Sequence, residues 1–115
     1  MRTILAMALV LIAAPAAVLA HHGWGSYDAS KLVTVVGTIE DSKYEMPHVL
    51  LRVKAPDKTW TVVLAPTSRM LARGAIQAMV AVGKTVTAAG YASTVDKDEM
   101  RAERITVDGK TVEMR

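Results

Sequence analysis

The segment Leu32–Glu40, which reads LVTVVGTIE, decides the fold of this chain. Its side chains form two alternating sets, one of Val33, Val35, Gly37 and Ile39 and the other of Thr34, Val36, Thr38 and Glu40. This period of two predicts a β-strand with one face buried. The glycine in the middle predicts a bulge or sharp bend, which lets a strand coil around a small barrel.

The same alternation recurs downstream between turn residues. It predicts further strands over 48–54, 60–64, 85–92 and 101–107, with a short last extension over 111–113. After Pro66, Thr67 or Ser68 is predicted to cap a short helix, and Gly74 is predicted to end it in a left-handed conformation. A further helical turn is predicted over 76–82. The chain therefore combines short strands with one short helix.

Three strands, one short helix and two strands follow the order of a five-stranded, partly open barrel of the oligonucleotide/oligosaccharide-binding (OB) type. The predicted fold class is accordingly all-β with one short helix, in a small OB-like barrel. A small open sheet with a helix across one face is the alternative. Either fold hosts many unrelated functions, so function must be sought in particular residues.

The first 20 residues have the layout of a signal peptide: Arg2, an apolar run over 4–14, then small residues up to Ala20. The run of 11 residues is shorter than the roughly 20 that cross a bilayer. We expect a periplasmic or secreted protein with no membrane association after cleavage. The predicted organisation is a signal peptide over 1–20, an irregular N-terminal arm over 21–31, and a β-barrel domain over 32–115.

The composition excludes several classes of function. The chain has no cysteine, which rules out disulfides, thiolate metal sites and thiol nucleophiles. Its net charge of +3 is spread among interleaved acidic and basic residues, and with no Phe and three Tyr it lacks the aromatic groove of a nucleic-acid binder. No nucleophile, base and orienting group can be assembled from the sequence. We therefore expect neither an enzyme nor a nucleic-acid partner.

The three histidines are the candidate metal ligands: His21, His22 and His48. Cleavage after Ala20 makes His21 the first residue, so that its α-amino group and imidazole can chelate one ion together. Nitrogen ligands bind Cu(II) most strongly among divalent first-row metals, so copper is the expected cofactor. The alternative is that an exposed His-His pair binds copper only adventitiously. The protein is then a metal-free binding or interaction module for a protein, glycan or small ligand.

His48 completes such a site only if the arm folds back. A straight first strand places His48 on the order of 35 Å from the start of that strand, and the arm from His21 to Val33 reaches about 40 Å fully extended. The alternative for His48 is a residue at a strand start beside a proline turn. Trp24 and Tyr27 are predicted to pin the arm to the barrel, and Trp60 is predicted to lie in the core.

Several short motifs together resemble a known family. They are HHGW at 21–24, VVGT at 35–38, MPH at 46–48, Trp60, and VGKTVT at 82–87. This combination resembles a family of small exported bacterial proteins described as domain of unknown function 6152, whose members share the two leading histidines and a Pro-His step. The resemblance implies export and a β-barrel-like domain, and it matches the histidines at 21, 22 and 48. It implies no particular activity.

Overall fold

A computed structural model describes residues 23–115 of the chain. The predicted signal peptide over 1–20 and the candidate ligands His21 and His22 lie outside the described residues. The elements are β1 (Tyr27–Lys43), β2 (Leu50–Lys54), β3 (Thr59–Val63), α1 (Thr67–Ala72), β4 (Thr85–Ser93), β5 (Glu99–Val107) and β6 (Lys110–Glu113), with 3-10 turns at Trp24–Ser26 and Gln77–Val80. Among residues 23–115, no helix is long and apolar enough to cross a membrane.

The sheet closes on itself through its shortest pairing. The strand order is β3-β2-β1-β4-β5-β6, and β3 also pairs in parallel with the start of β5 over three residue pairs, Thr61 to Val63 against Glu99 to Arg101. The predicted all-β, OB-like barrel with one short helix is thus confirmed, and the alternative of an open sheet is not what forms. The predicted last extension is a sixth strand, β6, which pairs with the second half of β5.

The barrel interior contains the side chains that the alternating pattern assigned to it. Those buried in and beside the first three strands are Val35, Ile39, Val49, Leu51, Val53, Trp60, Val62 and Leu64. Val33 is only partly buried, because it packs at the edge of this cluster. Period-two alternation places every second side chain on the same face, which is why a local pattern predicts this core.

The helix α1 covers one end of the barrel and buries a single side chain, Met70. Neither Thr67 nor Ser68 caps it through a side chain, so the predicted cap is wrong. The hydroxyl of Thr67 instead donates to Met46 Sδ at 3.2 Å. Gly74 follows the helix with φ 78°, so the predicted left-handed end is confirmed.

The barrel begins earlier than the sequence predicts. β1 starts at Tyr27, so the predicted boundary of the irregular arm at residue 31 lies inside the strand. Tyr27 pairs with Ser93 and Leu32 with Tyr91, which leaves residues 28–31 opposite Ala92 alone, as a wide irregularity. The side chains of this polar stretch do not alternate between apolar and polar, because the stretch extends past the core. Backbone pairing there does not require apolar side chains on either face.

The bulge in β1 lies a few residues beyond Gly37, the position at which it is predicted. The register of β1 with β2 shifts between Ile39 and Asp41, and Gly37 itself is regularly paired with Val86. Gly37 serves a different purpose, because a Cβ there would collide with the carbonyl oxygen of Lys54 on β2. The glycine thus permits a close approach of two strands, which is the second common role of glycine inside a strand.

Candidate functional site

A cavity of about 200 Å³ opens at the end of the barrel where the start of β1, the loop between β1 and β2, and the start of β5 meet. Its walls are Tyr27, Pro47, His48, Leu50, Val63, Glu99 and Arg101. The parallel pairing of β3 with β5 sets Val63 beside Arg101. The lining thus combines three apolar residues, Pro47, Leu50 and Val63, with four polar or ionisable ones.

Arg101 is the buried charge of this site, with 6% of its surface exposed. Its Nη2 lies 3.3 Å from Nε2 of His48. Its Nε is buried and has no hydrogen-bond partner among the described residues. No carboxylate within residues 23–115 forms a salt bridge with it. A guanidinium is always charged in proteins, so the barrel keeps a buried cation with part of its hydrogen-bonding capacity unused.

The N-terminal 3-10 turn covers this cation. The indole of Trp24 stacks on Arg101, with the guanidinium carbon 4.2 Å from the ring centroid, and Arg115 lies over the same indole at 4.6 Å. Tyr27 meets Trp24 edge-on at 6.3 Å between centroids. The predicted anchoring of the arm by Trp24 and Tyr27 is confirmed. An indole face attracts cations, so this packing offsets part of the cost of burying Arg101.

The arm also returns to the neighbourhood of His48. Trp24 and His48 both contact the side chain of Arg101. The arm therefore turns back toward the part of the barrel that holds His48. His21 and His22 directly precede Gly23 and lie outside the described residues.

The contact with Arg101 involves one ring nitrogen of His48. Arginine has only donors, so Nη2 of Arg101 is the donor in this contact and Nε2 of His48 is the acceptor. A metal ion at Nε2 would compete with that bond and would lie next to a positive charge. Among residues 23–115, no group of three or more His, Asp or Glu side chains is placed to hold a metal ion. The positive charge of Arg101 therefore disfavours a cation at Nε2 of His48.

Further positive charge surrounds Arg101. Burial lowers the pKa of Arg101, and Arg69 and Arg115 lower it further through charge repulsion, against an opposite effect of Tyr27. Arg69 is held in place by the carbonyl oxygen of Met114, to which its Nη1 donates at 3.0 Å. This end of the barrel is therefore electropositive, with Glu99 as the carboxylate that lines the cavity.

Glu99 is engaged by Tyr27, whose hydroxyl donates to its Oε2 at 2.9 Å. Burial, together with this hydrogen bond, holds the pKa of the Tyr27 hydroxyl far above its ordinary value. The pKa of Tyr44 is raised by burial, and that of Tyr91 by its hydrogen bond to Glu103. All three tyrosines of the chain thus keep their protons to higher pH in the folded state than in the unfolded state.

This difference predicts a loss of stability in alkaline solution. Above the unfolded pKa of about 10, the unfolded chain releases tyrosine protons that the folded protein retains, so the free energy of unfolding falls as pH rises through that range. We expect the absorbance at 295 nm to show tyrosine ionisation in the folded protein at higher pH than in 6 M guanidinium chloride. Tyr27→Phe is expected to flatten the pH dependence of stability. Coincident folded and unfolded titrations would contradict this prediction.

Sequence reasoning identified His48, Trp24 and Tyr27 but missed Arg101 and Glu99 as site residues. Arg101 stands between the inward-facing Met100 and Ala102 on β5, and alternation assigns such a residue to solvent. It is buried because the 3-10 turn, more than seventy positions earlier in the chain, covers the outer surface of β5 there. No local signal in the sequence announces that contact.

Comparison with protein families shows which family the chain belongs to. Residues 8–113 match the profile of the Family of unknown function (DUF6152). The chain belongs to this family. Comparison with curated protein sequences finds no match for this DUF6152 protein.

Solved structures resemble the DUF6152 chain in fold. The crystal structure of the S. pombe Stn1-ten1 complex matches with a TM-score of 0.53 and 15% identity, over 66% of this chain and 57% of that one. TiaS in complex with tRNA, AMPCPP and agmatine matches with a TM-score of 0.53 and 17% identity, over 70% of this chain and 19% of that one. The ZRD-deleted mutant of TiaS in complex with agmatine matches with a TM-score of 0.55 and 15% identity, over 76% of this chain and 27% of that one. The DUF6152 protein therefore spans little more than half, or less, of these chains, and the likeness shows the fold alone.

Proposed function

We propose that this DUF6152 protein is an exported, metal-free binding module that holds a small ligand in the cavity beside Arg101. One observation carries the proposal: a buried guanidinium lines the cavity and has no salt bridge within residues 23–115. Removing a charge from water without a partner is costly, so a ligand that completes its contacts explains why it is retained. Export to the periplasm or beyond rests on the pattern of the first 20 residues.

The size of the cavity supports a small ligand over a glycan chain or protein segment. At about 200 Å³ it is smaller than the roughly 300–1,000 Å³ of pockets that take drug-sized molecules. The space therefore suits a molecule smaller than these.

Binding without catalysis accords with the groups that line the cavity. The hydroxyl of Tyr27 is bonded to Glu99, and His48 contacts Arg101, while no serine, threonine or cysteine is among the lining residues. Among these lining residues, the serine, threonine and cysteine nucleophiles of covalent catalysis are therefore missing.

A nucleic-acid ligand is not what we propose, although one TiaS neighbour is a tRNA complex. The exposed residues on the outer face of β2 are Leu50, Arg52 and Lys54, and the opposite positions of β3 are threonine and valine. Sequence-tolerant binding of single strands uses aromatic platforms for base stacking, and this described face carries none.

The proposal is tested by amide NMR titration of the protein, purified from the periplasm, with a panel of small neutral, cationic and anionic compounds. We expect at least one compound to shift the amide signals of His48, Val63 and Arg101. Leu50→Trp should abolish the shifts by narrowing the cavity, whereas Leu32→Trp, at an exposed position outside it, should leave them unchanged. A panel without any binder, or shifts confined to another face, would refute the proposal.

Copper binding is the second candidate function, favoured by the return of the arm to the side of His48. The α-amino group and imidazole of His21, with His22 and His48, are the proposed ligands of Cu(II). Arg101 opposes such a site, because it repels a cation and occupies Nε2 of His48. The residues described here therefore support copper less well than they support a metal-free ligand.

A Cu(II) titration distinguishes copper binding from metal-free ligand binding by the change in copper affinity that Arg101→Met causes. If copper is bound by arm and barrel together, His21→Ala and His48→Ala both weaken one-to-one binding, and Arg101→Met strengthens it by removing the competing charge. Intact mass must first establish that the mature chain begins at His21. If the cavity is metal-free, copper binding is weak and indifferent to His48→Ala and Arg101→Met.

A further inference from the structure

The environment of Arg101 indicates which chemical class of ligand the proposed cavity binds. Its side chain is more than nine-tenths buried, and the stacked indole of Trp24 covers a face of the guanidinium. Its hydrogen-bond donors lie in the guanidinium plane, where an indole face cannot satisfy them. The Nε–H remains without an acceptor among the described residues. A ligand acceptor therefore has to reach the guanidinium in its plane from the cavity that Arg101 lines, and not through the buried Nε.

We propose that the ligand is a small aliphatic carboxylate, whose carboxylate group pairs with Arg101 and whose apolar part lies against Leu50 and Val63. This inference rests on the proposed function, since it names the ligand class of the same cavity. Carboxylates accept charge-assisted hydrogen bonds from the terminal Nη groups of an arginine, whose planar fork suits them; the buried Nε of Arg101 takes no part in this pairing. Nη2 of Arg101 has two hydrogens. One is donated to His48, and the second is not used in that contact.

The charges around the cavity favour an anion. Arg69 and Arg115 add positive potential at Arg101, and no salt bridge within residues 23–115 neutralises that arginine. Glu99 is the opposing charge in the wall, and its Oε2 is occupied by the hydroxyl of Tyr27. A ligand with one negative charge suits this balance better than a phosphate dianion, because Glu99 would repel two negative charges more strongly in so small a space.

The apolar wall selects the part of the ligand beyond the carboxylate. Pro47, Leu50 and Val63 form the apolar part of the cavity lining and offer no hydrogen-bonding side chain. A short alkyl chain packs there without leaving a polar group unsatisfied, whereas a polar chain would lose its hydration without compensation. The volume of about 200 Å³ suits a carboxylate with a short alkyl chain.

The decisive experiment compares three compounds on the full mature protein. Butyrate is the anionic probe, butyramide its neutral counterpart of the same shape, and inorganic phosphate the test for an anion without an apolar part. Amide NMR titration gives each dissociation constant and maps the site. We expect butyrate to shift the signals of His48, Val63 and Arg101, with butyramide at least tenfold weaker and phosphate weaker than butyrate.

Variants then assign the effect to Arg101. Arg101→Met is expected to weaken butyrate binding at least tenfold, and Arg101→Lys several-fold, because an ammonium keeps the charge but lacks the fork. Arg52→Met removes the same charge from an exposed position of β2 and should leave butyrate binding unchanged. Should Arg101→Met fail to fold, the comparison of butyrate with butyramide on the unaltered protein still decides.

The outcomes separate this inference from the proposed function. Equal affinity for butyrate and butyramide, mapped to the cavity, would overturn the anion inference and leave the binding module intact. Tighter binding of phosphate than of butyrate would overturn the carboxylate assignment. Failure of all three probes to reach the cavity, while another compound of the broader panel binds there, would refute the carboxylate and spare the proposed function.

Discussion

Replacement of Gly90 by alanine is expected to lower the free energy of unfolding by about 3 kcal/mol, a large part of the total stability of a small domain. Gly90 lies on β4 where the register with β5 shifts. A Cβ at this position would collide with the carbonyl oxygen of Arg101 and come within 2.8 Å of the Cα of Ala102. Both obstacles are backbone atoms, so no side chain can move aside and the two strands must separate.

The matched control for Gly90→Ala is Gly25→Ala. Gly25 lies in the 3-10 turn, and nothing comes within 4 Å of a Cβ built there. We expect this control to stay within about 0.5 kcal/mol of the parent protein, as for most surface substitutions. Urea denaturation followed by tryptophan fluorescence measures both. A Gly90→Ala variant as stable as the control would show that β4 and β5 are not as close as described.

The second large effect is expected at Leu51. Its side chain is fully buried on β2 between β1 and β3, so Leu51→Ala removes most of a packed side chain and leaves a cavity in a closed barrel. Buried leucine-to-alanine changes cost about 3–5 kcal/mol where the surroundings cannot collapse. We expect a loss of about 3 kcal/mol in the free energy of unfolding, measured by the same urea denaturation.

The adjacent Leu50 provides a control of identical chemistry. It points to the opposite face of β2 and is 37% exposed, so Leu50→Ala is expected to cost less than about 1 kcal/mol. The contrast tests the register directly, because a shift of one residue in the pairing of β2 would exchange the two leucines. Equal losses for both variants would contradict the register of Leu51 opposite Ser42 and Val62.

Gly90 and Arg101 show that the site and the scaffold depend on each other. The close approach that Gly90 permits is to the backbone of Arg101 itself, which also pairs with Val63 on β3. The guanidinium is thus anchored at the point where the barrel closes. Binding groups that stand on paired strands are held more precisely than groups on loops, which suits the recognition of a small ligand.

Much of the fold was predictable because its determinants are local. The alternation in 32–40 and 48–54 assigned Val35, Leu51 and Val53 to the interior, and the structure has them there. The order of three strands, a helix and two strands led to the OB-like barrel. Predictions that depended on detail were less accurate: the bulge lies beyond Gly37, and Thr67 does not cap α1.

The candidate site was predictable only in part. The sequence singled out Trp24, Tyr27 and His48, since aromatic residues and histidines are few in so small a chain. Their convergence was not predictable, because the reach of the arm and the length of β1 allowed a fold-back without requiring it. The contact of Trp24 with Arg101 supplies the missing constraint.

The sequence by itself determined which face of each strand is buried, because the period of two in a strand is a property of neighbouring residues. It also determined that no disulfide stabilises the barrel, since the chain has no cysteine. Only the tertiary structure decided that Arg101 is buried and that it meets His48 and a cavity. The reason is the separation of the contacts: Tyr27 and Glu99 are 72 positions apart, and only closure of the barrel brings their side chains together.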